Sequence, residues 1–154
     1  MRISAKVDYA LRALAELSAL EAESERAVTR DQMASAQDIP IAFLENILLE
    51  LKRGGIVRSV RGQQGGFRLA RSADAISVAD VIRTLEGPLA SVRGMRPDEL
   101  EYGGAAAALP TVWIALRARL REVLEGVTMA DLTSGKLPPE ILQLTVSPES
   151  WKPH

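Results

Sequence analysis

Pro40-Ile41-Ala42-Phe43-Leu44-Glu45-Asn46-Ile47-Leu48-Leu49-Glu50-Leu51-Lys52-Arg53-Gly54-Gly55 runs directly into Ile56-Val57-Arg58-Ser59-Val60-Arg61-Gly62-Gln63-Gln64-Gly65-Gly66-Phe67-Arg68-Leu69. In the first part Phe43, Leu44, Ile47, Leu48 and Leu51 recur at the three- and four-residue spacing of a helix with one apolar face. Pro40 suits a first helical turn, where no amide hydrogen is needed. Lys52-Arg53-Gly54-Gly55 then places cations in the last turn and glycine where a left-handed cap belongs. In the second part the period drops to two. Ile56–Arg61 and Phe67–Arg71 alternate apolar and polar residues as strands do. The intervening Gly62-Gln63-Gln64-Gly65-Gly66 predicts a hairpin tip, because glycine accepts the positive φ of tight turns.

The flanks extend this pattern. Thr29-Arg30-Asp31-Gln32 is a capping box and predicts a short helix from Arg30 to Ala36, broken at Asp38-Ile39-Pro40. Two short helices this close have the spacing of a helix-turn-helix. Before them Val7, Ala10, Leu11, Leu14 and Leu17 predict an amphipathic helix over residues 4 to about 21, capped by Ser4. A polar loop is expected at residues 21–27. After the hairpin, Ser77 caps a helix carrying Val78, Val81, Ile82 and Leu85 and closed by Gly87-Pro88. Helix, helix-turn-helix, hairpin, helix is the order of a winged helix.

Residues 89–108 read as a connecting loop. Pro110 opens a long helix whose Val112, Trp113, Leu116, Leu120, Val123 and Leu124 form a near-heptad stripe suited to a dimer interface, with Trp113 as its anchor. Arg117, Arg119 and Arg121 alternate with that stripe and are expected to face water or a partner chain. Thr128 caps one more short helix, and a loose tail is expected from 134. The organisation predicted is a winged helix-turn-helix over 1–88, a connection over 89–108, a dimerisation helix with its short follower over 109–133, and a tail over 134–154. The fold class is mainly α, with a two-stranded β-hairpin wing and a long C-terminal dimerisation helix.

Composition narrows the functions available. Of 154 residues 47% are hydrophobic, which excludes a disordered chain, and only 4% are aromatic, so Leu, Ile, Val and Ala must build the core. No apolar run approaches a membrane span and the N-terminus lacks a signal-peptide core, so no membrane partner and a cytoplasmic location are expected. There is no cysteine, which removes disulfides, thiol nucleophiles and cysteine-ligated metal or cluster sites. The single histidine is the terminal His154, so histidine acid–base work and a multi-histidine metal site are excluded within one chain. Asp8 and Glu45 fall on separate helices with no histidine or nucleophile nearby. No catalytic residue, no metal and no cofactor are expected.

The net charge is −1, but its distribution is uneven. Residues 51–73 hold no acid and carry Lys52, Arg53, Arg58, Arg61, Arg68 and Arg71, while acids collect at 21–25 and 98–101. A basic segment of this kind can hold a polyanion with strong salt dependence. The exposed face of the helix offers Ile41, Ala42, Glu45 and Asn46: Glu45 could accept from a cytosine amino group, Asn46 could bond an adenine, and the small Ala42 permits close approach in a major groove. In the hairpin, Arg61 suits a minor groove, with Gln63 and Gln64 beside it and Arg58, Arg68 and Arg71 near phosphates. Double-stranded DNA is the partner these residues fit.

Three stretches carry a resemblance. Ser4-Ala5-Lys6-Val7-Asp8-Tyr9-Ala10-Leu11-Arg12 resembles the opening helix of the bacterial IscR, NsrR and CymR regulators (the Rrf-two superfamily). Ile39-Pro40 with Phe43-Leu44-Glu45-Asn46-Ile47-Leu48 resembles their recognition helix. Leu51–Gly62 followed by Gly65-Gly66-Phe67-Arg68-Leu69 resembles their wing, and the likeness covers about residues 1–133. It implies a homodimer with crossed C-terminal helices reading a palindrome, base-reading positions at Glu45 and Asn46, and a minor-groove arginine at Arg61. Cluster-binding relatives carry three cysteines in the loop before the long helix, and this chain has none. The resemblance therefore implies a cysteine-free transcriptional regulator, most simply a repressor, with or without an unidentified small-molecule effector. Two other readings stay open: a winged-helix module that binds an acidic protein, and a carboxylate enzyme.

Overall fold

The computed structural model describes residues 2–153; His154 lies outside the described residues. α1 (Ala5–Glu23) starts where the Ser4 hydroxyl accepts from the Val7 amide at 3.2 Å and runs three residues into the expected polar loop. α2 (Arg30–Gln37) opens on the Thr29–Gln32 capping box and stops at Asp38, which takes a left-handed φ of 49°. α3 (Ile41–Arg53) follows Pro40, and the left-handed residue of its exit is Gly55, at φ 70°. β1 (Val57–Val60) and β2 (Gly66–Leu69) form the antiparallel hairpin in the register Val57–Leu69, Arg58–Arg68, Ser59–Phe67 and Val60–Gly66. α4 (Val78–Glu86), α5 (Leu109–Glu125) and α6 (Met129–Ser134) come next, the first and last again entered through capping boxes.

One core binds these elements. Val7, Ala10, Ala13, Leu14 and Leu17 of α1 are fully buried against Met33 of α2 and Leu44, Ile47, Leu48 and Leu51 of α3. The alanines on α1 let neighbouring helices approach closely while the leucines fill the remaining space. Ile56, Ile76, Val81 and Met129 complete the cluster. Although it follows the long helix in sequence, α6 packs on α1, with the Met129 amide bonded to the Ile76 carbonyl at 2.9 Å. Phe43, expected in the buried stripe, is instead 62% exposed. It sits at the edge of that stripe and meets the Tyr9 ring edge-on, 6.4 Å between centroids.

The tail also departs from expectation. α7 (Pro139–Gln143) forms because two prolines preset its first turn and Leu137 and Ile141 reach the core. A 3₁₀ turn at Pro148–Trp151 follows, with the Trp151 indole donating to the Thr145 carbonyl at 2.8 Å. No described helix is long and apolar enough to cross a membrane.

The hairpin is joined to the body at its base. Val28 pairs with Phe67 in an isolated antiparallel bridge, with the two amide–carbonyl bonds at 3.0 and 2.8 Å. Gly66 makes this possible, since a Cβ there would run into the Val28 carbonyl. α4 is braced on both sides. Its Thr84 methyl fills the space that a side chain at Gly54 would need, and its Arg83 pairs with Glu125 of α5. Arg121 and then Arg83 hold the Glu125 carboxyl below its ordinary range.

Two outcomes follow. Gly66→Ala should cost about 1–3 kcal/mol in urea unfolding, whereas Gly103→Ala, with open space around it, should stay within about 0.5 kcal/mol. Because Glu125 titrates lower in the folded chain than in the unfolded one, its contribution is full at neutral pH and fades as the pH falls through the folded value. Urea midpoints for Glu125→Gln should therefore decline less steeply on acidification than those of the unaltered chain.

Candidate nucleic-acid interface

The exposed face of α3 carries Ile41, Ala42, Glu45 and Asn46, all open to solvent as expected. Asn46 donates to the Ala42 carbonyl at 3.3 Å, which leaves its amide oxygen outward. Glu45 is not free: Arg30, the first residue of α2, forms an ion pair with its carboxylate. Nothing in the sequence signals this pair, since its members lie on different helices and at no helical spacing.

Cations divide into two groups. Arg68 lies inward, its Nε donating to Glu21 Oε1 at 3.0 Å and its Nη1 to the Glu25 carbonyl at 2.8 Å. The same Glu21 oxygen accepts from the Leu69 amide at 3.1 Å. Arg71 faces Asp80 at 3.5 Å. The expectation that Arg68 and Arg71 lie ready for phosphates is therefore corrected: acids of α1 and α4 neutralise them and fix the base of the hairpin. Lys52, Arg53, Arg58 and Arg61 are exposed, and among the described residues none of them is held in an ion pair. Gln63 and Gln64 are exposed at the tip, where the Gly65 amide bonds back to the Gly62 carbonyl at 2.9 Å. Free positive charge thus concentrates on the outer strand, the tip and the end of α3. A hollow of about 230 Å³, bordered by Arg30, Glu45, Leu48 and Phe67, places the middle of α3 beside β2.

On the far side stands α5, none of whose residues is buried. Val112 is 53% and Leu116 40% exposed, while Trp113, Leu120 and Val123 are half-buried. Leu124 turns inward against the core. Arg117, expected outward, reaches back to Asp98 at 3.4 Å, whereas Arg119 and Arg121 pair along their own helix. A hollow of about 310 Å³ lies between the start of α1, the end of α4 and α5, with Ile3, Val7, Ile82, Leu89, Leu120 and Leu124 among its walls. Tyr102 lies outside it, half-buried beside Arg93.

Comparison with known proteins agrees with this geometry. The family model described as Rrf2, iron-dependent transcriptional regulator, matches residues 3–135. The chain is 49% identical over 144 residues to a protein of Mycobacterium tuberculosis (strain ATCC 25618 / H37Rv) provisionally named an HTH-type transcriptional regulator, covering 94% of this chain and 88% of that one. Its fold matches the structure of CymR, the global cysteine regulator of B. subtilis, with a TM-score of 0.73 and 32% identity over 88% of this chain and 98% of that one. It matches T. potens IscR with a TM-score of 0.69 and 30% identity, covering 88% of each. These relatives are regulators rather than enzymes. The residues present do not fit the iron of the family description. Cysteine is absent from the chain, and among the described residues no three His, Cys, Asp or Glu side chains converge on a metal position. By sequence and by fold, the chain belongs to the Rrf2 family of DNA-binding transcriptional regulators.

Proposed function

We propose that the chain acts as a homodimeric, sequence-specific repressor that reads a palindromic operator without an iron–sulfur cluster. α3, over residues 40–53, enters the major groove; the hairpin, over residues 56–71, reaches the adjacent minor groove with Arg61, Gln63 and Gln64. The observation that carries this reading is the sorting of charge: acids neutralise the wing base, while Lys52, Arg53, Arg58 and Arg61 stay free beside the exposed face of α3. Base edges are reached by Ile41, Ala42, Glu45 and Asn46. Residues 1–88 form the DNA-binding unit, 89–108 connect it to the pairing helix of 109–133, and 134–154 form the tail. Such a regulator works where the chromosome lies, in the cytoplasm.

The bare face of α5 supports pairing, since a monomer seldom leaves an apolar helix face uncovered. In this reading Val112, Trp113, Leu116, Leu120 and Val123 cross the same helix of a second copy, with Leu124 at the edge of that contact. Two subunits then present their α3 helices one DNA turn apart. The hollow between α1, α4 and α5 favours a second feature, response to a small apolar effector, because its walls join the pairing helix to the DNA-binding unit. A protein-interaction module would instead show no preference in a selection from random duplexes.

Arg61→Ala should weaken operator binding by about 1–3 kcal/mol in a gel-shift titration at fixed salt. Unchanged affinity would remove the wing from the proposal. Leu116→Glu should yield a folded monomer by sedimentation at micromolar concentration; a dimer unaffected by that charge would place the interface elsewhere.

A further inference from the structure

We propose that Arg30, on α2, is a specificity-determining positioning residue that fixes how Glu45 presents its carboxylate to DNA. This rests on the reading of α3 as the recognition helix. Glu45 is a long side chain on an open helix face, and a free glutamate would spread over many rotamers and repel nearby phosphates. Arg30 removes both handicaps. Its Nη1 engages Glu45 Oε1 and its Nε faces Asp31 Oδ1 at 3.3 Å, so the guanidinium is braced from two sides.

The backbone that carries Arg30 is equally fixed. Thr29 is locked by the Gln32 side chain, whose Oε1 accepts from the Thr29 amide at 2.8 Å. Val28 is bonded to Phe67 of the wing. Arg30 therefore stands where α2, α3 and β2 meet, on the border of the hollow that Glu45 also lines. Of the two carboxylate oxygens, only Oε1 is taken among the described residues. Oε2 is left to accept from the exocyclic amino group of a cytosine or adenine. A guanidinium has five donors in a planar fork, enough to hold Glu45 and meet a phosphate together, which a lysine ammonium cannot do with the same direction. Exposed ion pairs add little to stability, so the pair's consequence lies in what Glu45 reads.

The test is a selection from randomised duplexes, sequenced and quantified, on the full-length chain. Glu45→Ala in the unaltered background identifies the base pair that Glu45 reads. Arg30→Met should then lower discrimination at that base pair roughly tenfold. Discrimination at the base pair lost with Asn46→Ala should stay intact, as should the urea midpoint. Arg30→Lys should rescue affinity for random duplex but little of the discrimination. Adding Arg30→Met to Glu45→Ala should cost nothing more at that base pair. Arg30→Met that weakens all duplexes equally, or that leaves the profile unchanged, overturns the proposal while the regulator reading stands. Glu45→Ala that removes no preference does the same. An unaltered chain with no sequence preference overturns both.

Discussion

The apolar face of α1 is the surface on which the other elements find their places: α2, α3, α4, α6 and β2 all pack against it. Burial of Leu14 and Leu17, together with the closeness allowed by Ala10 and Ala13, sets the angle at which α3 leaves the body. Polar contacts then remove the remaining freedom. Lys6 bonds Glu50 of α3 at 3.1 Å and the Leu85 carbonyl of α4 at 2.8 Å, so the start of α1 holds two helices at once. At its other end Glu21 holds the hairpin. A single helix thus orients both parts of the solvent-facing surface: the outer face of α3 and the hairpin tip.

Electrostatics sharpen what packing arranges. A chain with net charge −1 is a poor polyanion binder by its sum. Three of its acids, however, Glu21, Asp80 and Glu125, hold the hairpin base and brace α4, away from the exposed cations of the tip. Local field, not total charge, governs what approaches the tip.

Much of this was legible in the residues. The switch from a period of 3.6 to a period of two after Gly55 marked α3 and the hairpin, and the caps at Thr29, Ser77 and Thr128 marked three helix starts. What escaped was long-range. Arg68 with Glu21, Arg71 with Asp80 and Arg30 with Glu45 join separate elements, and opposite charges far apart in sequence carry no periodic signature. α7 escaped for a different reason: five residues are too few to show a stripe, and its place depends on Ile141 meeting a core assembled from elsewhere. Phe43 looked like core because it adjoins Leu44, yet one step around a helix turns a side chain by about 100°.

The position of α4 has a mechanical consequence. Thr84 fills the gap at Gly54 on one side, and Arg83 grips Glu125 on the other. α4 is thus the element that links the long helix to the heel of the reading helix. A tilt of α5 that carried Arg83 with it would meet the C-terminal end of α3 through Thr84, where no empty space separates the two. The bare outer helix and the charged prong are therefore joined through a single intervening helix, end to end.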